Sequence, residues 1–469
     1  MSSRPDLYDL FRPIGLTFAP LIIMALTSLL VVPGAFPAGS ATLQTGSVAD
    51  LLLKDDFQQA EVLLAKQPKT AETVALHGEI EFRKGNFVDA EASYRDALKM
   101  DSKNARAHFG LGKLAMAKVK PKSALQEINK AIELDAKEPL YRLYASEAAG
   151  MDKKYDEQRR HLEEYLKLNP KDEDRLTEAK AGLEMLKAFG SEEVAVVHAP
   201  EKPAPIHFRK VLNLIFTELM IEGKGPYNFA IDTGATQTVI SEKLASQIGL
   251  QSITSTVVFG IGGAGKVDTK IYKVKELSIG GIKVNNVPVG TFNDPVISQL
   301  ADGILGSSIF SDFIIAVDYR NDQMELTRKR PAATTGTETV PVWYFSNLLL
   351  MPMEVNGKHG NFIVDTGAVT TVLSHSMAAQ LGVNESTPGA KVDMGIAGVG
   401  GFEGVVLKIP NVTFKTPKNS EVFPQVVAID LKQISKMIGT EVSGVVGFDF
   451  LSDYKVTLDY YAAEVMLGK

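Results

Sequence analysis

The sequence predicts a multidomain chain of class α plus all-β: a helical-repeat solenoid, then a β-rich part made of two similar lobes. Three observations carry this. Residues 47–190 are rich in Ala, Leu, Lys and Glu and contain a motif that returns after 34 positions. From residue 207 the pattern changes to short β-type runs punctuated by glycine, as at 270–279 and 283–289. Within that second part, an eight-residue motif returns after 133 positions.

At 469 residues the chain is too long for one ordinary domain. Its 45% hydrophobic and 23% charged residues are ordinary globular composition. A net charge of -6 offers no basic excess for phosphates, so no nucleic-acid partner is expected. The absence of cysteine excludes disulfides, thiolate metal sites and a cysteine nucleophile. The histidines are scattered, with no His-Glu-x-x-His, so neither metal nor cofactor is expected, and no Gly-x-Ser-x-Gly nucleophile elbow occurs.

The N-terminal residues read as a targeting segment. Arg4 and Arg12 precede an uncharged run at 14–32, interrupted by Pro20, and small residues come next at Ala38-Gly39-Ser40-Ala41. Two readings fit residues 1–41: a cleaved signal peptide, or an uncleaved membrane anchor. Both place the rest of the chain in the periplasm or outside the cell.

In the helical part, Gly78, Ala90, Tyr94 and Ala97 recur as Gly112, Ala124, Ile128 and Ala131. Small residues suit points where two helices cross closely, and the larger residue fills the space between them. A third unit closes at Pro170 but has lost the small positions, and a partial unit at 56–68 precedes the first. This pattern resembles the tetratricopeptide repeat, a helix-turn-helix unit of 34 residues. The resemblance implies a concave surface on which a protein partner docks.

Residues 191–206 hold three closely spaced prolines, Pro200, Pro203 and Pro205, and are expected as an extended linker. A second linker, 329–340, divides the remainder into lobe 1 (207–328) and lobe 2 (341–469).

The lobes are copies. Asn228-Phe229-Ala230-Ile231-Asp232-Thr233-Gly234-Ala235 matches Asn361-Phe362-Ile363-Val364-Asp365-Thr366-Gly367-Ala368. The match continues through Thr238, Val239 and Ser241 against Thr371, Val372 and Ser374, and ends with Gly249 against Gly382. Serine suits a helix N-cap and glycine a helix stop, so each half reads strand, Asp-Thr-Gly turn, strand, short helix. Downstream, Ile304-Leu305-Gly306 matches Val445-Val446-Gly447, and Val317-Asp318-Tyr319 matches Leu458-Asp459-Tyr460, both at an offset of 141. Lobe 2 therefore carries eight more residues between its motifs.

An apolar strand ending in Asp-Thr-Gly, with an apolar-apolar-Gly segment downstream, resembles the pepsin and retropepsin group of aspartic peptidases. The resemblance covers 207–469 and implies a two-lobed acid-protease barrel fold, with Asp232 and Asp365 as a catalytic dyad hydrolysing peptide bonds. Two carboxyls held close cannot both ionise, so they share one proton. Thr233 and Thr366 would cross-link the two loops, Gly234 and Gly367 would let the backbones meet, and the apolar pairs at 304–305 and 445–446 would pack beneath. Ala235 and Ala368 replace the Ser or Thr usual in pepsins, which removes a hydroxyl donor and points to a dyad that titrates higher. By the same resemblance, Gly260, Ile261, Gly262 and Gly263, with Gly395, Ile396, Ala397 and Gly398, are substrate-covering flaps. The stretch 260–265 also fits Gly-x-Gly-x-x-Gly, but the residues immediately after it read as strand rather than helix, which argues against a dinucleotide site. Asp318 and Asp459 read as structural, and Trp343 is expected to pack within lobe 2. The reading is an exported aspartic endopeptidase with a polypeptide substrate, and the alternative is an inactive peptide-binding scaffold of the same fold.

Overall fold

The computed structural model describes residues 56–469 except 202–204, 260–265, 295–296, 331–335, 393–395 and 398–403, together with 23–24, 48 and 51–52. The repeat part is built from α1 (Phe57–Leu64), α2 (Ala71–Arg83), α3 (Phe87–Met100), α4 (Ala105–Ala117), α5 (Pro121–Leu134), α6 (Pro139–Met151), α7 (Tyr155–Lys167) and α8 (Glu173–Phe189). Their starts are set by local chemistry. Thr70, Asn104, Glu138 and Asp172 accept hydrogen bonds from first-turn N–H groups, and proline occupies the first turn of α5 and α6.

Helices α2, α4, α6 and α8 begin 34 residues apart, so the third unit is a complete helix pair. Its small positions drift because Ser146 and Leu162, both buried, take the places of Gly112 and Ile128. The first two units have the predicted packing. A Cβ on Gly78 would lie 2.9 Å from the Tyr94 ring, and one on Gly112 would lie 2.5 Å from Ile128. Between these units, Lys113 Nζ meets Glu79 Oε2 at 2.8 Å, both side chains being buried, and Tyr94 donates to the same oxygen at 3.1 Å.

Part of the stretch expected as an extended linker is a strand pinned to lobe 1. Val196–His198 pairs antiparallel with Ile282–Phe292 at the edge of the lobe 1 sheet, because its residues 196–197 are apolar and can join a sheet edge. Likewise the end of the second linker is a strand, Glu338–Pro341, paired with Glu464–Gly468. Glu338 is buried there and accepts bonds from Thr416, Lys418 and Asn419.

Each lobe has its own sheet, and a third sheet joins them. At its centre Ile314–Asp318 of lobe 1 pairs antiparallel with Lys455–Asp459 of lobe 2, related by near-twofold symmetry. One hydrophobic cluster runs through both lobes, from Phe229 and Val317 to Phe362 and Leu458. Asp318 and Asp459 act structurally. Each carboxylate accepts two backbone N–H bonds from the turn just after it. Ser241 and Ser374 cap short helices as expected, and Gly249 and Gly382 lie just beyond them with positive φ.

Candidate active site

In each lobe a strand delivers its aspartate to the middle of a three-strand crossing. Lys224–Asp232 runs parallel to Gly303–Gly306, which is also antiparallel to Val239–Ser241. In lobe 2 the corresponding strands are Lys358–Val364, Gly444–Val446 and Val372–Ser374, with the same pairings. The downstream segment is thus threaded between the strand before the Asp-Thr-Gly turn and the strand after it. Glycine is required where it passes. A Cβ on Gly306 would sit 2.2 Å from the Gln237 carbonyl oxygen, and one on Gly447 would sit 2.7 Å from Thr370. The turns then rest on this segment through Ser307 N to Ala235 O (2.7 Å) and Phe448 N to Ala368 O (2.8 Å).

The two turns face each other and are cross-linked. Thr233 N donates to Thr366 Oγ1 at 3.1 Å, and Thr366 N donates to Thr233 Oγ1 at 3.0 Å. Thr233 Oγ1 in turn donates to Val364 O at 2.9 Å, and Thr366 Oγ1 to Ile231 O at 3.0 Å. Each hydroxyl therefore accepts from one backbone and donates to another, closing a symmetric net of four bonds in a buried place.

Asp232 and Asp365 are brought together by that net, and both have no exposed surface. Asp232 Oδ1 accepts from Gly234 N and Ala235 N, each at 2.9 Å, and Asp365 Oδ1 accepts from Gly367 N at 2.7 Å. The Oδ2 atom of each carboxyl is buried, and no donor among the described residues reaches it. Burial and the neighbouring Asp365 charge push Asp232 well above the ordinary carboxylate range. Burial pushes Asp365 up to about 6, against the opposing pull of its hydrogen bonds. Such a pair holds one proton between two carboxyls and can act as acid and base at once.

Ala235 and Ala368 are buried beside the carboxyls and contribute backbone only. Of the flap stretches, Gly260, Ile261, Gly262, Gly263, Gly395 and Gly398 lie outside the described residues. Ile396 and Ala397 form a short strand paired in parallel with Ile23 and Met24. The chain continues from Gly265 into the strand Lys266–Ile279, where a dinucleotide site would need a helix. Among the described residues no cluster of metal-ligating side chains occurs.

Several supporting residues are not apparent from the sequence pattern alone. Gly306 N donates to Thr238 Oγ1 and Gly447 N to Thr371 Oγ1, both at 3.1 Å. These threonines lie in the duplicated match, so their symmetry is a usable signal. Thr238 N donates to Ser308 Oγ, whereas Thr371 N donates to Asp449 Oδ1. Ser308 and Asp449 share the offset of 141 but differ in type, and a search for identity passes over them.

Comparison with known proteins gives a family match for each part of the chain. An aspartyl protease family model matches residues 217–309 and 351–450, and a tetratricopeptide repeat model matches 76–139. No curated protein matches the chain. Solved structures similar to it include the type III secretion chaperone SycD of Yersinia enterocolitica in complex with a peptide of the translocator YopD (20% identity, 25% of this chain, 92% of that one, TM-score 0.24). Others are PcrH from Pseudomonas aeruginosa (22%, 25%, 91%, 0.23) and the Arabidopsis OM64 tetratricopeptide domain (20%, 25%, 94%, 0.23). This chain thus carries an aspartyl-protease domain over its C-terminal region, preceded by a tetratricopeptide repeat on its N-terminal side.

Proposed function

We propose that the chain is an aspartic endopeptidase whose single site is shared by the two lobes, with Asp232 and Asp365 as the catalytic pair. The observation that carries this is the state of the four carboxyl oxygens. Each Oδ1 is fixed by backbone N–H groups, while each Oδ2 is buried with no donor among the described residues. Two fixed carboxyls with one proton between them suit the activation of water. The ionised carboxyl removes a proton from water as the oxygen attacks the peptide carbon, and the protonated one gives its proton to the carbonyl oxygen. The tetrahedral adduct then breaks its C–N bond as the amide nitrogen takes the proton that came from water, and a hydroxyl of the adduct returns a proton to the other carboxylate, restoring the singly protonated pair.

The substrate is an extended polypeptide, bound by backbone hydrogen bonds. The stretches at 260–263 and 395–398 are proposed to cover it and exclude water. The repeat is proposed as a protein-contact module. An exported location, with residues 1–41 as signal peptide or membrane anchor, belongs to the same proposal and rests on the sequence pattern alone.

The test is cleavage of an unfolded protein substrate by the full chain between about pH 3.5 and 8. Asp232→Asn, Asp365→Asn and a pepstatin-type inhibitor run alongside. Cleavage that disappears in both variants supports one shared dyad. Loss in only one variant sinks the shared-site reading. No cleavage by a folded parent sinks the peptidase reading and favours a peptide-binding protein.

A further inference from the structure

The near-symmetry of the lobes makes it possible to see what the repeat adds, because the repeat touches the two copies of one hairpin differently. In lobe 1 the strand Arg209–Val211 turns through Leu212 and Asn213 into Leu214–Ile221. In lobe 2 the strand Trp343–Phe345 turns through Ser346 and Asn347 into Leu348–Val355. Both turns have positive φ at both central residues, so they are the same structural feature.

Their surroundings differ. Asn213 is exposed, its neighbour Leu212 is 49% exposed, and among the described residues the Asn213 side chain makes no hydrogen bond. Asn347 instead donates from Nδ2 to the Thr236 carbonyl at 3.2 Å, four residues beyond Asp232, and accepts from the Tyr344 hydroxyl at 2.5 Å. The lobe 2 hairpin is held from its other side by the repeat. Trp343 lies 4.5 Å from Phe87 between ring centroids, and Phe345 lies 5.4 Å from Phe87 and 6.0 Å from Phe82. Lys118 Nζ stands over the Trp343 ring at 5.6 Å. Trp343 therefore packs on two sides: against the apolar cluster of lobe 2, as its sequence position suggests, and against the repeat, where it meets Phe87 of α3 and Lys118 at the end of α4.

Lobe 2 also completes the end of helix α2. Thr440 Oγ1 donates to Phe82 O (2.8 Å), Glu441 N to Arg83 O (2.7 Å) and Asn361 Nδ2 to Gly85 O (3.1 Å). Carbonyls at a helix end need such donors. The duplicated asparagine of lobe 1 does something else: Asn228 Nδ2 donates within its own lobe, to Leu300 O. Residues of α2, α4, α6 and α8 (Phe82, Met116, Tyr144 and Met185) line a cavity of 560 Å³ whose opposite wall includes Ser346 and Asn347. This face of the repeat is turned toward the chain's own protease domain.

We propose that the repeat acts as an internal clamp on the candidate dyad: it holds the 343–348 hairpin, and Asn347 positions the loop just after Asp232. This rests on the peptidase reading for its kinetic consequence, though not for its structural one. Asn347 is a positioning residue, since it acts on Asp232 through the backbone of Thr236.

The test uses the full chain and three variants. Asn347→Gly keeps the positive-φ turn and removes the amide. Phe87→Ala removes the repeat residue whose ring meets both Trp343 and Phe345. Asn213→Gly is the matched change in lobe 1. Hydrogen exchange of residues 233–238 is measured together with kcat, KM and the pH–rate profile. For Asn347→Gly we expect exchange about fivefold to tenfold faster, the effect of losing one net hydrogen bond. kcat should fall by a similar factor with KM little changed, and the pH profile should shift. Phe87→Ala should reproduce this pattern, and failure to do so overturns the clamp, while Asn213→Gly should show none of it. Equal behaviour of Asn347→Gly and Asn213→Gly, or unchanged exchange at 233–238, overturns the clamp. Altered exchange in a chain that cleaves nothing upholds the clamp and removes the peptidase reading instead.

Discussion

Gly234 and Asp365 approach so closely that a Cβ on the glycine would lie 2.4 Å from the Asp365 Cγ. The reverse approach is nearly equal, with a Cβ on Gly367 lying 2.3 Å from the Asp232 Cγ. Each lobe's glycine therefore makes room for the other lobe's carboxyl, and neither site is complete alone.

The first prediction concerns that room. Gly234→Ala and Gly367→Ala must push an aspartate away from its partner. Misplacement of about 1 Å at a reacting group costs about 10²-fold in rate, so each variant should lose at least that much kcat/KM. Overpacking should also lower stability by about 1–3 kcal/mol. Steady-state kinetics and urea unfolding check both numbers.

The threonine net should be worth more than one hydrogen bond. Thr233→Ala removes the acceptor for Thr366 N and the donor for Val364 O, both buried. Each buried group left without a partner costs about 1–3 kcal/mol. Thr233→Ser keeps the hydroxyl and should retain most of the stability. Because Thr233 and Thr366 belong to one net, a double-mutant cycle on urea unfolding should give a coupling energy clearly different from zero. Simple additivity would separate the two loops.

The pH dependence arises from the raised carboxyls. A carboxyl whose folded value lies above its unfolded value is better protonated when folded, so its contribution is full below the unfolded value and is lost as pH rises through the folded one. For Asp365 that window runs from the ordinary carboxylate range to about 6. The dyad should therefore favour the fold more at about pH 4 than at pH 7. Asp365→Asn should flatten this part of the stability curve, measured by thermal unfolding at several pH values. In activity, the raised values extend the singly protonated state toward neutral pH. A rate maximum below about pH 4 would falsify this assignment.

The buried Glu79–Lys113 pair links the first two repeat units. Burial lowers the Lys113 amine against the opposing pull of Glu79, and its Nζ lies 4.1 Å from the Phe82 ring centroid. Removing one partner leaves the other charge buried, at a cost of about 3–5 kcal/mol. Lys113→Ala should thus unfold the repeat at markedly lower urea than the exposed control Lys99→Ala, read by far-ultraviolet circular dichroism.

Much of the architecture is legible because it is written in periods and copies. The 34-residue spacing depends on how far one helix pair advances the chain, and Gly78, Gly112 and their alanines show it directly. The two Asp-Thr-Gly motifs and their downstream glycines are legible for a similar reason. A carboxyl pair needs two identical turns, and a threaded strand needs glycine where it passes a carbonyl. The third repeat unit is harder to see because Ser146 and Leu162 preserve the packing without preserving the residue types. The proline-rich stretch reads as an extended linker, but its pairing at a sheet edge over residues 196–198 is not legible, since proline restricts the backbone without dictating which edge lies beside it.

The sequence by itself determined the helical repeat, the two lobes and the identity of both aspartates, since these arise from local periodicity and from duplication along the chain. Only the tertiary structure decided which asparagine of each pair does what. Asn228 and Asn361 are the same letter in the same motif, and Asn213 and Asn347 occupy the same turn. One member of each pair serves its own lobe or solvent, while Asn361 meets the repeat and Asn347 meets the loop after Asp232. Hydrogen bonds act over about 3 Å in space and carry no trace of sequence separation. Partners more than a hundred residues apart are therefore chosen by how the folded parts pack.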